Sequence, residues 1–350
     1  MRTLQTEERF FAVLVSGPQG GAEGREQATL IADKAAALLE RGTSLETVLE
    51  TMLAALPQGE HVPFSILQVL GGCEARVVEC DASPLFLVQD GQPVLLPVLE
   101  EVSRGRLIRE CRFLLRNGDH AAMVSEGYLR PRGWRWGWRD IAVAVRRWTD
   151  TNCDADELLG ALVRTYRRLN PEAPRQDVTV VAMHIRPMRT ATVWSGPPAD
   201  PAQDALALER LMAEAGTRVI CGGTTAQIAA RLLGAELGVE PRPEDGWREV
   251  PPVARLEGVG LVTEGLVTLG KALERMAGVQ RLRDLPRRED GATRLARALL
   301  AADRIHFIVG LAVNPQQADA TGTVALRQEV VEALAEDLRA RGKAVSLEDA

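Results

Sequence analysis

The patterning of this chain changes rhythm about half-way along, and no single sheet topology accommodates both halves. Up to about residue 187, strand-like runs follow one another: Phe10–Val15, Phe64–Leu70, Ala75–Cys80, Leu85–Val88, Arg112–Arg116, His120–Ser125 and Val178–Ile185. Helical patterns are confined to Glu23–Glu40, a segment opening at the capping-box candidate Thr43-Ser44-Leu45-Glu46, Ile141–Thr149 and Ala155–Leu169. Strands in series with segregated helices indicate antiparallel sheets. Gly71-Gly72, Asp81-Ala82-Ser83-Pro84 and Asp90-Gly91 predict an antiparallel meander from Phe64 onward, and Asn117-Gly118 predicts a hairpin.

Beyond Pro187 strands and helices alternate one for one. Thr192-Val193-Trp194, a helix over 202–215, Arg218–Cys221, helices over Leu266–Met276 and Ala292–Ala302, the strand Arg304–Val309 and a last helix over Thr323–Arg341 read as a three-layer α/β unit with parallel strands. The expected domains are 1–188 and 189–350. At 46% apolar residues in 350, both have material for a packed core.

The net charge is -6, and no basic run is interleaved with aromatics, which argues against a nucleic-acid or anionic-membrane surface. No apolar stretch approaches the roughly 20 residues of a spanning helix, and the N-terminus lacks the basic-then-apolar order of a signal peptide. A cytoplasmic protein is expected. Cys73, Cys80, Cys111, Cys153 and Cys221 are scattered, with no C-x-x-C pair and no histidine cluster, and read as free thiols.

Three segments share one logic, an apolar strand with a polar end suited to face a metal. Phe10–Val15 runs into Ser16-Gly17-Pro18-Gln19-Gly20-Gly21. Gly118-Asp119-His120 leads to Ser125-Glu126-Gly127, and Gln176-Asp177-Val178-Thr179 opens a third strand. In order and spacing they resemble the motifs of the stage II sporulation protein E (SpoIIE) family of PPM-type serine/threonine protein phosphatases: a D-G-x-G-x-G turn, G-D followed by S-D-G, and D-D-x-T. Phe64–Val69 and Asp81–Phe86 match its central strands. The resemblance covers nearly all of the first domain. It implies a four-layer αββα sandwich of two antiparallel sheets, with Mg²⁺ or Mn²⁺ at the strand ends activating a water for in-line attack on a phosphoserine or phosphothreonine. Gly222–Thr225, Gly258–Gly265 and the closing helix resemble the extra C-terminal region of one branch of that family, for which the resemblance implies no activity.

The departures fall on the ligands. Ser16 stands at the first acidic position, Glu126 replaces the S-D-G aspartate, and Gln176 replaces the first acid of D-D-x-T. A preceding strand bearing a further acid is expected to be absent. Gly17, through its carbonyl, Glu126 and Asp177 remain as oxygen donors. Two readings follow. In one, the domain keeps the fold as a regulatory pseudophosphatase and binds a phosphoprotein or a regulatory protein partner. In the other it is a working Mn²⁺- or Mg²⁺-dependent phosphatase using Glu126 and Asp177. Glu126 also reads as a turn cap, and Asp119 as the residue closing the turn after Asn117-Gly118. His120 and His184 read as packed or surface histidines. Trp134, Trp136 and Trp138 alternate, as either a partner-binding face or a cap on the core.

In the second domain Val219-Ile220-Cys221 meets Gly222-Gly223-Thr224-Thr225 and a helix. Free amides at a helix start, with threonine hydroxyls, suit a small anionic ligand; equally, Gly222-Gly223 permits a tight turn with Thr224 as N-cap. The segment is neither a Walker A loop nor a dinucleotide fingerprint. Thr263-Glu264-Gly265 and Asn314-Pro315 end other presumed strands or open helices and join it as candidates for one crevice at the strands' carboxyl ends.

Overall fold

The computed structural model describes residues 1–350 apart from 7, 18–20, 57–58, 130–137, 150–152, 171–176, 241–248 and 313–319. The chain divides into two compact units, Met1–Pro187 and Met188–Ala350.

In the first unit the elements are β1 (Arg2–Gln5), β2 (Arg9–Val15), α1 (Ala22–Glu40), α2 (Leu45–Ala55), β3 (Phe64–Leu70), β4 (Glu74–Cys80), β5 (Phe86–Gln89), β6 (Gln92–Val94), β7 (Leu99–Ser103), β8 (Arg106–Leu114), β9 (His120–Val124), α3 (Glu126–Leu129), α4 (Trp138–Thr149), α5 (Ala155–Leu169) and β10 (Val180–His184). They make two antiparallel sheets, β1-β2-β3-β4-β8-β7 and β10-β9-β5-β6.

Side-chain alternation along β2 shows how the layers stack. Phe11, Val13 and Val15 pack with Ala32, Ala35 and Leu39 of α1 and Val48 and Met52 of α2. Ala12 and Leu14, on the opposite face, pack with Leu67, Val77, Leu87 and Met123 between the sheets. Phe86, Val88, Ala122 and Val124 of the second sheet turn their other face to Ile141 and Val145 of α4 and Leu158 and Leu162 of α5. A strand buried on both faces needs apolar residues at nearly every position, which is why β2 reads as a continuous apolar run. The order helix, sheet, sheet, helix is the expected four-layer αββα sandwich.

The pairing departs from expectation in three places. The run from Phe64 is not one meander: β3 and β4 pair, but β5 crosses to the second sheet and pairs with β9. Asp81, with φ of 50°, turns the chain out of the first sheet. Asn117-Gly118 closes no hairpin, because β8 belongs to the first sheet and β9 to the second. A strand does precede the first motif: β1 pairs antiparallel with β2, and its sequence Arg-Thr-Leu-Gln carries no carboxylate.

The second unit comprises β11 (Thr190–Ser195), α6 (Asp204–Ala213), β12 (Thr217–Cys221), α7 (Gly223–Leu233), β13 (Gly238–Val239), β14 (Ala254–Leu256), β15 (Val259–Thr263), α8 (Leu266–Met276), α9 (Gly291–Ala301), β16 (Arg304–Val309), α10 (Ala320–Ala340) and β17 (Ala344–Asp349). Its sheet runs β13-β14-β15-β12-β11-β16-β17, with β15, β12, β11, β16 and β17 parallel. Val193, Val219, Leu261 and Phe307 face α8, α9 and α10. Trp194, Ile220, Val262 and Ile308 face α6 and α7. This is the expected three-layer α/β arrangement, with antiparallel β13 and β14 added at one edge.

Candidate functional site

In the first unit two glycines draw the motif-bearing strand ends together. Ser16 donates its N–H to the Pro63 carbonyl at 2.8 Å, holding the end of β2 against the entry to β3. A Cβ on Gly17 would overlap the Gly24 carbonyl, so the turn lies directly on the start of α1. On the other sheet, Ser125 donates its N–H to Thr179 O at 3.0 Å, and its Oγ accepts from Thr179 N at 2.9 Å. A Cβ on Gly127 would stand 2.5 Å from the Asp177 carbonyl oxygen. These contacts bring Glu126, the first residue of α3, and Asp177, just ahead of β10, to the same end of the sandwich.

Both surviving acids meet a nitrogen-bearing side chain of the chain itself. Asp177 accepts through both carboxylate oxygens from Arg25 of α1, at 2.9 Å from Nε and 2.8 Å from Nη2. These hydrogen bonds hold its carboxyl below the usual aspartate range; burial opposes the shift and the guanidinium charge reinforces it. Glu126 Oε2 lies 3.2 Å from Nε2 of His61, in the segment leading to β3. With Asp177 51% exposed and Glu126 21% exposed, neither pair adds much to stability. Their consequence is chemical, because the bidentate fork occupies both carboxylate oxygens of Asp177.

A pair of Mg²⁺ or Mn²⁺ ions needs several hard oxygen ligands whose negative charge offsets dehydration. At this end Ser16 offers a hydroxyl, Gly17 a carbonyl, and Asp177 a carboxylate already facing a guanidinium. Among the described residues no group of three or more His, Cys, Asp and Glu side chains is arranged to hold a metal ion. The residues present do not fit a dinuclear centre. Gln176, Trp134, Trp136 and the side chain of Trp138 lie outside the described residues, as do Asn314 and Pro315.

Sequence reasoning missed Arg25 and His61. For Arg25 a signal existed: the positive end of a helix disfavours a cation, so an arginine at the fourth position of α1 asks for a nearby anion. His61 has no such signature. Also missed was Glu79, in a row Leu14, Ser65, Glu79, Arg109 across the first sheet, one residue in from the site end. It is buried, accepts the Leu85 N–H at 2.6 Å and lies 3.3 Å from Arg109 Nη2. Burial pushes its carboxyl up to about 7, against the pull of Arg109 and of the Leu85 N–H.

The remaining candidates of this unit have structural partners. Asp119 is buried and accepts from Arg116 N and Gln89 Nε2, each at 2.7 Å, closing the turn. His120 stacks on His184 with centroids 4.2 Å apart, and its Nε2 is 2.8 Å from the Cys153 carbonyl. The cysteines are free thiols, all buried except Cys73. No helix among the described residues is long and apolar enough to cross a membrane.

In the second unit α7 starts at Gly223, and its N-cap is Gly222, with φ of 136° and no side-chain acceptor. Thr224 is therefore not the cap; it is the second helical residue and is exposed. Thr225 is wholly buried, with no hydrogen-bond partner for Oγ1.

The chain matches no family model and no curated protein sequence. Among solved structures it is similar to the PP2C phosphatase domain, with a fragment of the regulatory domain, of the cell fate determinant SpoIIE from Bacillus subtilis: 16% identity over 53% of this chain and 57% of that one, TM-score 0.44. It is similar also to the RsbU and RsbW domains of a Mycobacterium tuberculosis protein, at 16% identity over 60% and 61% of the two chains, TM-score 0.46. A third is the serine/threonine phosphatase PstP/Ppp of Mycobacterium tuberculosis, at 16% identity over 53% and 92%, TM-score 0.38. The chain spans little more than half the length of the first two structures.

Proposed function

We propose that the first unit is a SpoIIE-type, PPM-phosphatase-like regulatory module that recognises a phosphorylated protein partner and does not hydrolyse it efficiently. The motifs in their order, on two antiparallel sheets between helices, support the family reading. The observation that carries the loss of hydrolysis is the Arg25–Asp177 fork: the acid best placed to hold a divalent ion is bound by the chain's own guanidinium. The same fork suits recognition. Two bare carboxylates would repel a phosphoryl dianion, whereas here each faces a basic side chain. Arg25 is largely solvent-exposed and uses two of its five N–H donors on Asp177, so the rest can reach phosphoryl oxygens.

The test is direct. Purified full-length chain with millimolar Mn²⁺ is expected to leave p-nitrophenyl phosphate and a phosphoserine peptide intact, and to bind that peptide more tightly than its unphosphorylated form. Arg25→Ala is expected to remove the preference. Metal-dependent turnover that Glu126→Ala abolishes would establish the working-phosphatase reading instead.

A further inference from the structure

The strand order of the second unit reverses at β11. The chain goes from β11 through α6 to β12 on one side, and β16, on the other side, leads into α10. Because α6 and α10 lie on opposite faces, the chain leaves the carboxyl ends of β11 and β16 in opposite directions. Open α/β sheets bind ligands in the crevice such a divergence opens.

Here the crevice floor is nearly free of side chains. Gly196 follows β11 with φ of 83°, Gly222 follows β12 with φ of 136°, and Gly310 follows β16. A Cβ on Gly310 would overlap the carbonyls of Gly196 and Pro197, and one on Gly222 would lie 3.9 Å from Gly196 N. Backbone is thus packed on backbone: the N–H groups of Gly196, Gly222 and Gly310 are donated to the carbonyls of Cys221, Thr263 and Ser195, which leaves the first amides of α7 as the backbone donors facing the crevice.

Over this floor lies a cation short of an anion. Arg327 stands four, seven and eleven residues before Val331, Leu334 and Leu338, on the stripe of α10 that packs into the core. One turn nearer the crevice, that apolar stripe continues as a guanidinium. A Cβ on Gly196 would run into it. Its Nη1 donates to the Gly310 carbonyl at 2.5 Å, and among the described residues no carboxylate pairs with it. Other arginines of the unit differ: Arg275 pairs with Asp290, Arg294 with Glu240, and Arg341 with Asp337. Burial pushes the Arg327 guanidinium down from its ordinary value, the mark of a charge with little compensation.

Two wholly buried hydroxyls at the same strand ends have no partner. Ser195 Oγ closes β11, on the face it shares with Val193 and α10. Thr225 Oγ1 points back at the start of α7, 2.9 Å from where a Gly222 Cβ would lie. Buried polar groups without partners are uncommon in folded chains; here one lies at the uncapped start of α7 and the other at the end of β11 on the side of α10, the two sides from which a ligand at these strand ends would be held.

We infer that the second unit binds the phosphoryl group of a small molecule at the carboxyl ends of β11, β12 and β16, with Arg327 as counter-charge, the first amides of α7 as donors, and Ser195 and Thr225 closing the floor. A tetrahedral oxyanion satisfies donors converging from two helices and a strand end, whereas a planar carboxylate serves fewer of them. This inference is independent of the reading of the first unit.

Titrating the full-length chain with inorganic phosphate and with adenosine monophosphate, against acetate at equal ionic strength, tests it. The phosphates are expected to bind at least tenfold more tightly than acetate and to shift the amide resonances of Gly223 and Thr224. Read at the Gly223 and Thr224 resonances, Arg327→Met is expected to weaken phosphate binding at least tenfold and Arg327→Lys to restore part of it. Equal response of the Gly223 and Thr224 resonances to phosphate and acetate, or an undiminished response to phosphate there in a folded Arg327→Met chain, would overturn the inference. Should that variant fail to fold, the wild-type resonances decide: no shift at Gly223 and Thr224 under phosphate refutes it.

Discussion

Glu79 makes the first unit's stability depend on pH in an unusual direction. Its carboxyl is pushed from 4.5 up to about 7 by burial, with Arg109 and the Leu85 N–H only partly offsetting the cost of charge. Between those two values the folded chain keeps a proton that the unfolded chain has released. Each pH unit across that window lowers the unfolding free energy by about 1.4 kcal/mol, so the whole window is worth about 3 kcal/mol. That stability is fully present below 4.5 and is lost as pH rises through about 7, the reverse of the usual salt-bridged acid. Glu79→Gln imitates the protonated form and removes the dependence. Its constant effect on packing cancels when one variant is compared with wild type at two pH values. Because the chain has two units, a global melt would mix their transitions, so the readout is hydrogen exchange at the β4 amides Val77 and Val78 under urea. From about pH 5 to about pH 8, which spans most of that window, the opening free energy of wild type is expected to fall relative to Glu79→Gln by about 2.5 kcal/mol. A difference that stays flat between the two pH values would refute the argument that burial outweighs Arg109.

Two shorter predictions bear on the same unit. Ser44, not Thr43, caps α2, accepting from Thr47 N at 3.3 Å, so Ser44→Ala is expected to cost about 1 kcal/mol and Thr43→Ala much less, measured as urea midpoints. Arg25→Ala is expected to return Asp177 toward the ordinary aspartate range, followed by the carbon resonance of its carboxylate during an acid titration. The sign is fixed: a depressed carboxyl favours the folded pairing above the ordinary aspartate value and loses that contribution on acidification. An Asp177 titration unchanged by the substitution would mean that the fork does not hold in solution.

Much of the fold was legible in the sequence wherever a segment's own residues decide its conformation. Leu266–Met276 and Arg304–Val309 run as expected because a strong periodicity is bounded by turn residues on each side. What could not be read was partnership. Phe86 is buried whichever sheet receives β5, so its sequence does not say that the strand crosses over. β17 escaped notice because Ala344–Asp349 mixes apolar and acidic residues at a sheet edge, paired only with β16. The capping box read one residue early for a similar reason: Glu46, the presumed reciprocal acid, instead meets Arg76 on β4, a contact made only after the sheet forms.

The candidate site divides along the same line. Ser16, Gly17, Glu126 and Asp177 were visible because motif order is written along the chain. From missing acids alone, the remaining carboxylates should form a weak but available cation site, open to a metal at high enough concentration. The fold changes that conclusion. Arg25 reaches Asp177 from the start of a helix, a position its charge disfavours unless an anion is near. The two groups compensate each other: Asp177 makes the arginine tolerable at the helix start, and the arginine makes an aspartate without a metal tolerable at the strand end. An incoming divalent ion must therefore displace a bidentate guanidinium as well as shed its own water. The loss of ligands and the gain of Arg25 act in the same direction, and both weaken a divalent-ion site at this strand end, as the proposed reading requires.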